Sequence, residues 1–325
     1  MMHPEALVAG DKVAIISPSG AVDPAYVEGA VKTIKAWGFE PVLGKYVLAE
    51  NREFSAITMG GTDDQRFEDL QWAINDPEIK AILCSRGGYG AMRLLERFFL
   101  PSENIHIGAF HEKWLIGFSD ISALHAHWLK SGMLSIHASM AKQLAENGVK
   151  GIESETLHDI LTGVMPDYDF DSHPLSKPGS ATGTLVGGNL AVLAALIGTS
   201  YNMFDKGNIL FLEDVGEEIY RVERIMLQLR SAGVFRRLKG LIIGQFSRYH
   251  IDGQLTDSNS DPNMYEMIAR ILKPYDIPTA FGFPIGHDGL NVPLIEGATV
   301  TLSINQFHKG TTTLHTHQFK GELPF

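Results

Sequence analysis

The sequence predicts an α/β protein built on a parallel sheet. Short apolar runs alternate with segments of helical periodicity, and several of those runs end in glycine-bearing turns that lead straight into a helix. At 325 residues the chain has room for two domains or one large one, and its 44% hydrophobic and 20% charged residues are those of a globular protein. No apolar run approaches the ~20 residues that a membrane helix needs.

Lys12 to Ser17 reads as a first buried strand, ended by Pro18 and Gly20. Val27 to Trp37 repeats apolar residues at helical spacing, and Gly38 stops it as a C-cap glycine does. Glu40 to Leu43 is a second strand. Thr62 with Gln65 three positions on fits a capping box for a helix to about Asn75, closed by Asp76-Pro77. Strand Ala81 to Cys84 then runs into the turn Ser85-Arg86-Gly87-Gly88-Tyr89-Gly90 and a helix from Ala91 to about Phe98. Trp114 to Phe118 is a further buried strand, Ser119 and Asp120 stand at the N-cap position of a helix through Leu129, and Met133 to Ile136 leads to His137. The expected division is a first domain at 1–148, a proline- and aspartate-bearing linker at 149–180 with one short helix near Leu157 to Leu161, and a second domain at 181–325. In that second domain Ala181 to Val186 is a strand, and Gly187-Gly188-Asn189-Leu190 opens a helix to Ile197. Asn208 to Leu212 ends in Glu213-Asp214, Tyr220 to Ala232 is an amphipathic helix, and Leu238 to Gln245 is a strand. Ile277 to Phe283 leads to Pro284-Ile285-Gly286-His287-Asp288-Gly289, and a terminal β pair flanks His308-Lys309-Gly310.

A formal net charge of −11 argues against nucleic acid or an anionic membrane as partner, so an anionic substrate has to be drawn in by local Arg or Lys. The single cysteine, Cys84, rules out an intramolecular disulfide and a cysteine-based zinc site, and its apolar run marks it as a buried strand residue. His308, His315 and His317 lack companions at metal-ligand spacing, and no metal or organic cofactor is expected. Met1 to Asp11 shows no signal peptide, which points to the cytoplasm; a chain whose leader had been removed would read the same.

Ser119 at a strand-to-helix turn carries the parts of a nucleophile elbow, with its hydroxyl raised from the sheet and backbone N–H groups facing the same point. The match to G-x-S-x-G is incomplete because Ile121 takes the last glycine position, and an ordinary serine N-cap is equally open. Arg86 to Gly90 has the same form: it is a phosphate cradle, an oxyanion donor to a neighbouring nucleophile, or a plain turn. A serine nucleophile needs a base and the base an orienting carboxylate. Glu213 at a sheet edge competes with Asp214, Glu217 and Glu218 for the acid, and His287 competes with His125, His127 and His137 for the base.

S-R-G-G-Y-G, G-F-S-D-I-S-A-L-H, G-G-N-L, F-L-E-D-V-G-E and P-I-G-H-D-G-L-N-V-P-L occur in that order and together closely resemble the LD-carboxypeptidase family of serine peptidases, which includes murein tetrapeptide carboxypeptidases and microcin C self-immunity peptidases. The resemblance spans the first strand to about Leu302. It implies an N-terminal flavodoxin-like domain, a smaller C-terminal swivelling β/α domain and a homodimer. It also implies Ser119 as nucleophile, Glu213 as acid and His287 as base, with an oxyanion hole from the N–H of Asp120 and of Gly88, Gly87 being the alternative. By the same resemblance the substrate is a small peptide, murein tetrapeptide, losing its terminal D-Ala in cell-wall recycling; Arg86 and Arg221 are candidates for its terminal carboxylate. One departure stands out: His137-Ala138-Ser139-Met140 replaces the family's H-G-P-M, which changes the backbone preferences there. Two other functions compete. A microcin-type peptidase acting on aminoacyl-nucleotide conjugates would need an aromatic side chain to stack the base, with Tyr201, Phe204 and Tyr220 near the acid motif. A non-catalytic ligand-binding protein of two domains would need no triad. A glutamine amidotransferase fits poorly, since Ser119 holds the elbow and Cys84 lies elsewhere.

Overall fold

The computed structural model describes residues 3–52, 57–99, 112–247, 250–251, 254–255, 262–306 and 310–319. Its first elements follow the expected alternation: β1 (Lys12–Ile16), α1 (Pro24–Ala36), β2 (Glu40–Leu43), α2 (Asp63–Asn75), β3 (Ile79–Cys84), α3 (Ala91–Leu95), β4 (Trp114–Gly117), α4 (Ser122–Lys130), β5 (Ser135–His137), α5 (Ala141–Asn147) and α6 (Ile152–Leu161). The five strands pair in parallel in the order β2-β1-β3-β4-β5. That is the flavodoxin-like order, in which ligands bind outside the carboxyl ends of the strands near the β1/β3 switch point. Local chemistry sets the helix starts. Thr62 and Gln65 form the expected capping box, the backbone of each donating to the side chain of the other. Asp23 caps α1 by accepting from Ala25 N–H, with Pro24 in the first turn where its missing N–H costs nothing.

The remaining elements are β6 (Asp167–Asp171), β7 (Gly179–Asn189), α7 (Leu190–Ala195), β8 (Asn208–Val215), α8 (Ile219–Ser231), β9 (Gly240–Ser247), β10 (His250–Ile251), β11 (Gln254–Leu255), α9 (Pro262–Leu272), β12 (Thr279–Phe281), β13 (Leu294–Glu296), β14 (Thr299–Asn305) and β15 (Thr311–Thr316). Seven strands form a mixed sheet, β12-β9-β8-β7-β14-β15-β6. β12, β9, β8 and β7 run parallel, and the β7–β14, β14–β15 and β15–β6 pairs are antiparallel. β10 and β11 pair with each other, and β13 extends the first sheet beside β5.

The chain divides into two compact units, one of residues 1–164, 196–201 and 291–295, the other of 165–195, 202–290 and 296–325. The stretch 149–180 is therefore no free linker: it gives α6 to the first unit and β6 to the second. In β6 the aspartates alternate with aromatics, Tyr168 buried and Asp167, Asp169 and Asp171 exposed, which is the pattern of a half-buried edge strand with charges that discourage further pairing. Gly187 and Gly188 also lie in a strand rather than opening a helix. A Cβ on Gly187 would come within 2.1 Å of Phe211 O, so β7 and β8 approach too closely there for any side chain. The expected helix to Phe98 stops at Leu95 and tightens into a 3-10 turn at Glu96–Phe99. No helix among the described residues is long and apolar enough to cross a membrane.

Candidate active site

Residues of the first unit gather at the carboxyl ends of β1, β3 and β4. Ser119 follows β4, half-buried, and opens one 3-10 turn (Ser119–Ile121) before α4. Its φ is +65°, and it is the one non-glycine residue with a positive φ among the described residues. An N-cap residue adopts extended backbone instead, and neither this turn nor α4 carries a side-chain cap bond. The serine cap is thus excluded by geometry. For a residue with a Cβ this conformation costs about 1–3 kcal/mol and persists only where the surroundings enforce it.

The turn after β3 packs directly on Ser119. A Cβ on Gly87 would lie 2.9 Å from Ser119 Cβ and 3.1 Å from its Oγ, so a glycine is needed for the approach. Gly87 O accepts from Gly20 N–H at 3.0 Å, and exposed Gly88 has a φ of +115° that suits glycine. Two buried charges tie these loops together. Asp120 Oδ2 accepts from Ser19 Oγ–H at 2.5 Å and from Ala91 N–H at 2.8 Å, joining the β1 loop to the start of α3. Arg66, from α2, donates through Nη1 to Pro18 O and Gly90 O, at 2.6 and 2.8 Å, and pairs with Asp63. Neither Asp120 nor Arg66 carries a role for its side chain in the sequence expectations, and in Arg66 the only sequence signal is an arginine on an otherwise buried helix face. Arg86 reaches back to Ala21 O through Nη1 (2.8 Å) and is otherwise exposed on the same turn as Gly87 and Gly88.

The second unit holds the other candidates. Glu213 lies inside β8, a central strand, and not after it; the register against β9 shifts between Leu212 and Asp214, with the extra residue on β9, where Gly244 and Gln245 together lie opposite Glu213. The Glu213 side chain is fully buried and its Oε2 lies 2.8 Å from His287 Nδ1. A carboxylate only accepts, so Nδ1 carries the proton and Nε2 is left as the basic nitrogen. The acid competitors are otherwise engaged. Asp214 points the other way, accepting from Asn189 Nδ2 (2.9 Å), Val215 N–H (2.8 Å) and Ala191 N–H (3.0 Å), and so holds the start of α7. Burial, then the charge of Glu213, pushes its carboxyl up to about 7 against those hydrogen bonds. Glu217 stands 3.7 Å from Arg221, whose Nε also meets Tyr220 Oη, so Arg221 already has partners.

The base competitors belong to the core of the first unit. His125 is fully buried with Nε2 on Gly117 O at 2.9 Å, and burial lowers its pKa to about 3. His127 stacks on Phe98 at 3.9 Å between ring centroids and is lowered to about 4 by burial. His137 Nε2 lies 3.1 Å from Asn291 Oδ1, and Ala138 N–H donates to Gly117 O, so the departure from H-G-P-M is absorbed in a bonded strand end. Cys84 is buried, with its thiol pKa raised by desolvation. Among the described residues no group of three or more His, Cys, Asp and Glu is placed to hold a metal ion. His315 pairs with Asp167 at 2.6 Å and His317 with Thr301 at 2.8 Å; His308 lies outside the described residues. Of the three aromatics, Tyr201 and Phe204 are buried, Tyr201 Oη donating to Leu95 O, and only Tyr220 is exposed, at 53%.

Residues 13–138 match the LD-carboxypeptidase N-terminal domain and residues 182–302 the LD-carboxypeptidase C-terminal domain. The murein tetrapeptide carboxypeptidase of Pseudomonas aeruginosa is 30% identical over 309 residues, 91% of this chain and 94% of its own. Among solved structures, the muramoyltetrapeptide carboxypeptidase of Oxalobacter formigenes matches with a TM-score of 0.78 at 26% identity, covering 94% of this chain and 98% of its own. An MccF-like protein of Bacillus anthracis matches with a TM-score of 0.79 at 25% identity, over 98% of this chain and 100% of its own. The fold, the ordered motifs and these matches agree: the chain belongs to the LD-carboxypeptidase family.

Proposed function

We propose that this protein is a serine LD-carboxypeptidase that releases the terminal D-Ala of a murein tetrapeptide, with Ser119 as nucleophile, His287 as base and Glu213 as orienting acid. The observation that carries this reading is the backbone of Ser119: a strained, positive-φ serine after a central parallel strand, pressed against a glycine turn. Ser119 Oγ attacks the carbonyl between the L-centre of the diamino acid and D-Ala while His287 Nε2 takes its proton. The N–H groups of Asp120 and Gly88 receive the oxyanion, each donor worth about 3 kcal/mol. Collapse of the tetrahedral adduct breaks the C–N bond, and the imidazolium returns the proton to the D-Ala amine. Water, deprotonated by the same imidazole, then hydrolyses the acyl-serine. Glu213, buried beside Nδ1, stabilises the imidazolium in both halves.

Arg86 is the better candidate for the terminal carboxylate, since it is exposed on the turn that meets Ser119 whereas Arg221 is engaged with Glu217 and Tyr220. A homodimer, which the family resemblance implies, and a cytoplasmic location belong to the same reading; light scattering and cell fractionation test those two points. Mass spectrometry of murein tetrapeptide incubated with wild type and Ser119→Ala tests the reaction. Loss of one D-Ala with wild type alone is expected. Equal turnover by Ser119→Ala would refute the mechanism, and no cleavage by wild type, with cleavage of an aminoacyl-sulfamoyl nucleoside instead, would transfer the site to the microcin-type reaction.

A further inference from the structure

We infer that Gln245 is a positioning residue for His287, clamping the loop that carries the imidazole on both sides of it. The inference rests on the reading of His287 as the base. Gln245 lies near the end of β9, 9% exposed, and makes three bonds to one loop. Its backbone N–H donates to Ile285 O at 2.8 Å, its Oε1 accepts from Asp288 N–H at 2.9 Å, and its Nε2 donates to Leu290 O at 2.9 Å. Both side-chain partners are backbone groups with fixed roles, so the amide has a single orientation and no substitute residue of the same length satisfies both.

The loop is built to touch the strand there. A Cβ on Gly244 would stand 2.4 Å from Ile285 Cγ1 and 2.6 Å from Ile285 O, and one on Gly286 would stand 2.8 Å from both Cβ and Oε1 of Gln245. Gly286 also has a φ of +140°, so glycine is required twice at that position. Tyr265 Oη donates to Gly244 O at 2.8 Å and braces the strand from its other neighbour. The Glu213 bond decides which ring nitrogen of His287 bears the proton. It does not fix where the ring's own backbone sits; the bonds to residues 285, 288 and 290 do that. Misplacement of a reacting group by about 1 Å can cost about 10²-fold in rate, which gives the clamp its expected weight.

Two variants separate the clamp from plain packing. Gln245→Met keeps the length and loses both side-chain bonds. Gln245→Glu keeps the acceptor for Asp288 N–H and sets an oxygen against Leu290 O. The first readout needs no turnover: the imidazole resonances of His287 and hydrogen exchange at the Asp288 amide, in the full-length protein. The expected result is displaced His287 resonances and lost Asp288 protection in Gln245→Met, with Asp288 protection kept in Gln245→Glu. In tetrapeptide cleavage, kcat of Gln245→Met falls by about 10²-fold with KM within about twofold and Gln245→Glu falls less. His287 resonances and kcat unchanged in Gln245→Met would overturn the inference. A wild type that releases no D-Ala would refute the proposed function alone, and the resonances would still judge the clamp.

Discussion

Replacing Gly87 by alanine adds one methyl group at the contact between the β3 turn and Ser119. Gly87 does not have a positive φ, so alanine suits its backbone and the effect is purely steric. The new Cβ would stand 2.9 Å from Ser119 Cβ, 3.1 Å from Oγ and 3.2 Å from Phe118 O. Carbon atoms in favourable contact sit about 3.5–4.0 Å apart, so the turn and the serine must separate by about 0.5–1 Å. Overpacking of this kind costs about 1–3 kcal/mol of stability, and displacing the proposed nucleophile Ser119 costs about 10²-fold in kcat. Gly132→Ala is the matched control. Gly132 has a φ of +79° with nothing within 4 Å of the added Cβ, so alanine there loses about 1 kcal/mol through backbone strain alone. Thermal midpoints and D-Ala release at saturating tetrapeptide are measured for both. Comparable losses of stability with a loss of kcat in Gly87→Ala only are expected. A Gly87→Ala enzyme with wild-type kcat would show that the turn does not position the proposed nucleophile.

Asp120→Ala leaves the buried donors Ser19 Oγ–H and Ala91 N–H unmet and should lower stability in urea by about 2–4 kcal/mol, with kcat falling as the turn loosens; Asp120→Asn keeps an acceptor and should lose less than half of that. Equal losses in the two variants would count against the carboxylate as the tie between loops. Asp214 gives a pH signature of its own. Its carboxyl is pushed from 3.8 up to about 7, first by burial and then by the charge of Glu213, so the folded state binds this proton more tightly than the unfolded chain. The associated stability is full below pH 3.8 and is lost as pH rises through about 7, up to about 4 kcal/mol. Thermal midpoints of Asp214→Asn across that window should lack this falling component, and a pH profile identical to wild type would refute it.

The parts of this fold that obey local rules were legible from the residues. The capping box at Thr62, the buried strands before Ser85 and Ser119 and the helix after Tyr220 stand where spacing and cap chemistry put them. What escaped was decided by tertiary contact. Gly187 and Gly188 belong to a strand because β7 lies against Phe211 of β8, which no glycine propensity conveys. β6 hides its period behind three aspartates, although Tyr168 is buried opposite them. α9 was open to detection, since Met264, Tyr265, Ile268, Ile271 and Leu272 recur at helical spacing and are all buried. In the candidate site, the motifs singled out Glu213 and His287, but the extra residue of β9 opposite Glu213 and the amide of Gln245 leave no mark on composition or period.

Ser119 shows how one sequence signal serves two local geometries. Serine followed by aspartate before a helical pattern has the chemistry of an N-cap, and only the backbone angle separates cap from elbow. In the elbow pattern the last glycine makes room where the helix meets the strand; here Ile121 takes that place, and the room is on the other side. A Cβ on Gly117 would stand 3.0 Å from Ile121 Cγ2 and 3.1 Å from its Cγ1, so the isoleucine lies across a glycine in the strand it follows. His125, one turn on, bonds the carbonyl of the same Gly117 at 2.9 Å, and Ala138 N–H bonds that carbonyl from β5's end at 3.0 Å. The strained serine is thereby held from both flanks by a packed isoleucine and a doubly bonded carbonyl. The same crowding that removes glycine from position 121 fixes the backbone that aims Ser119, so an apparent lapse from the motif is part of what enforces its geometry.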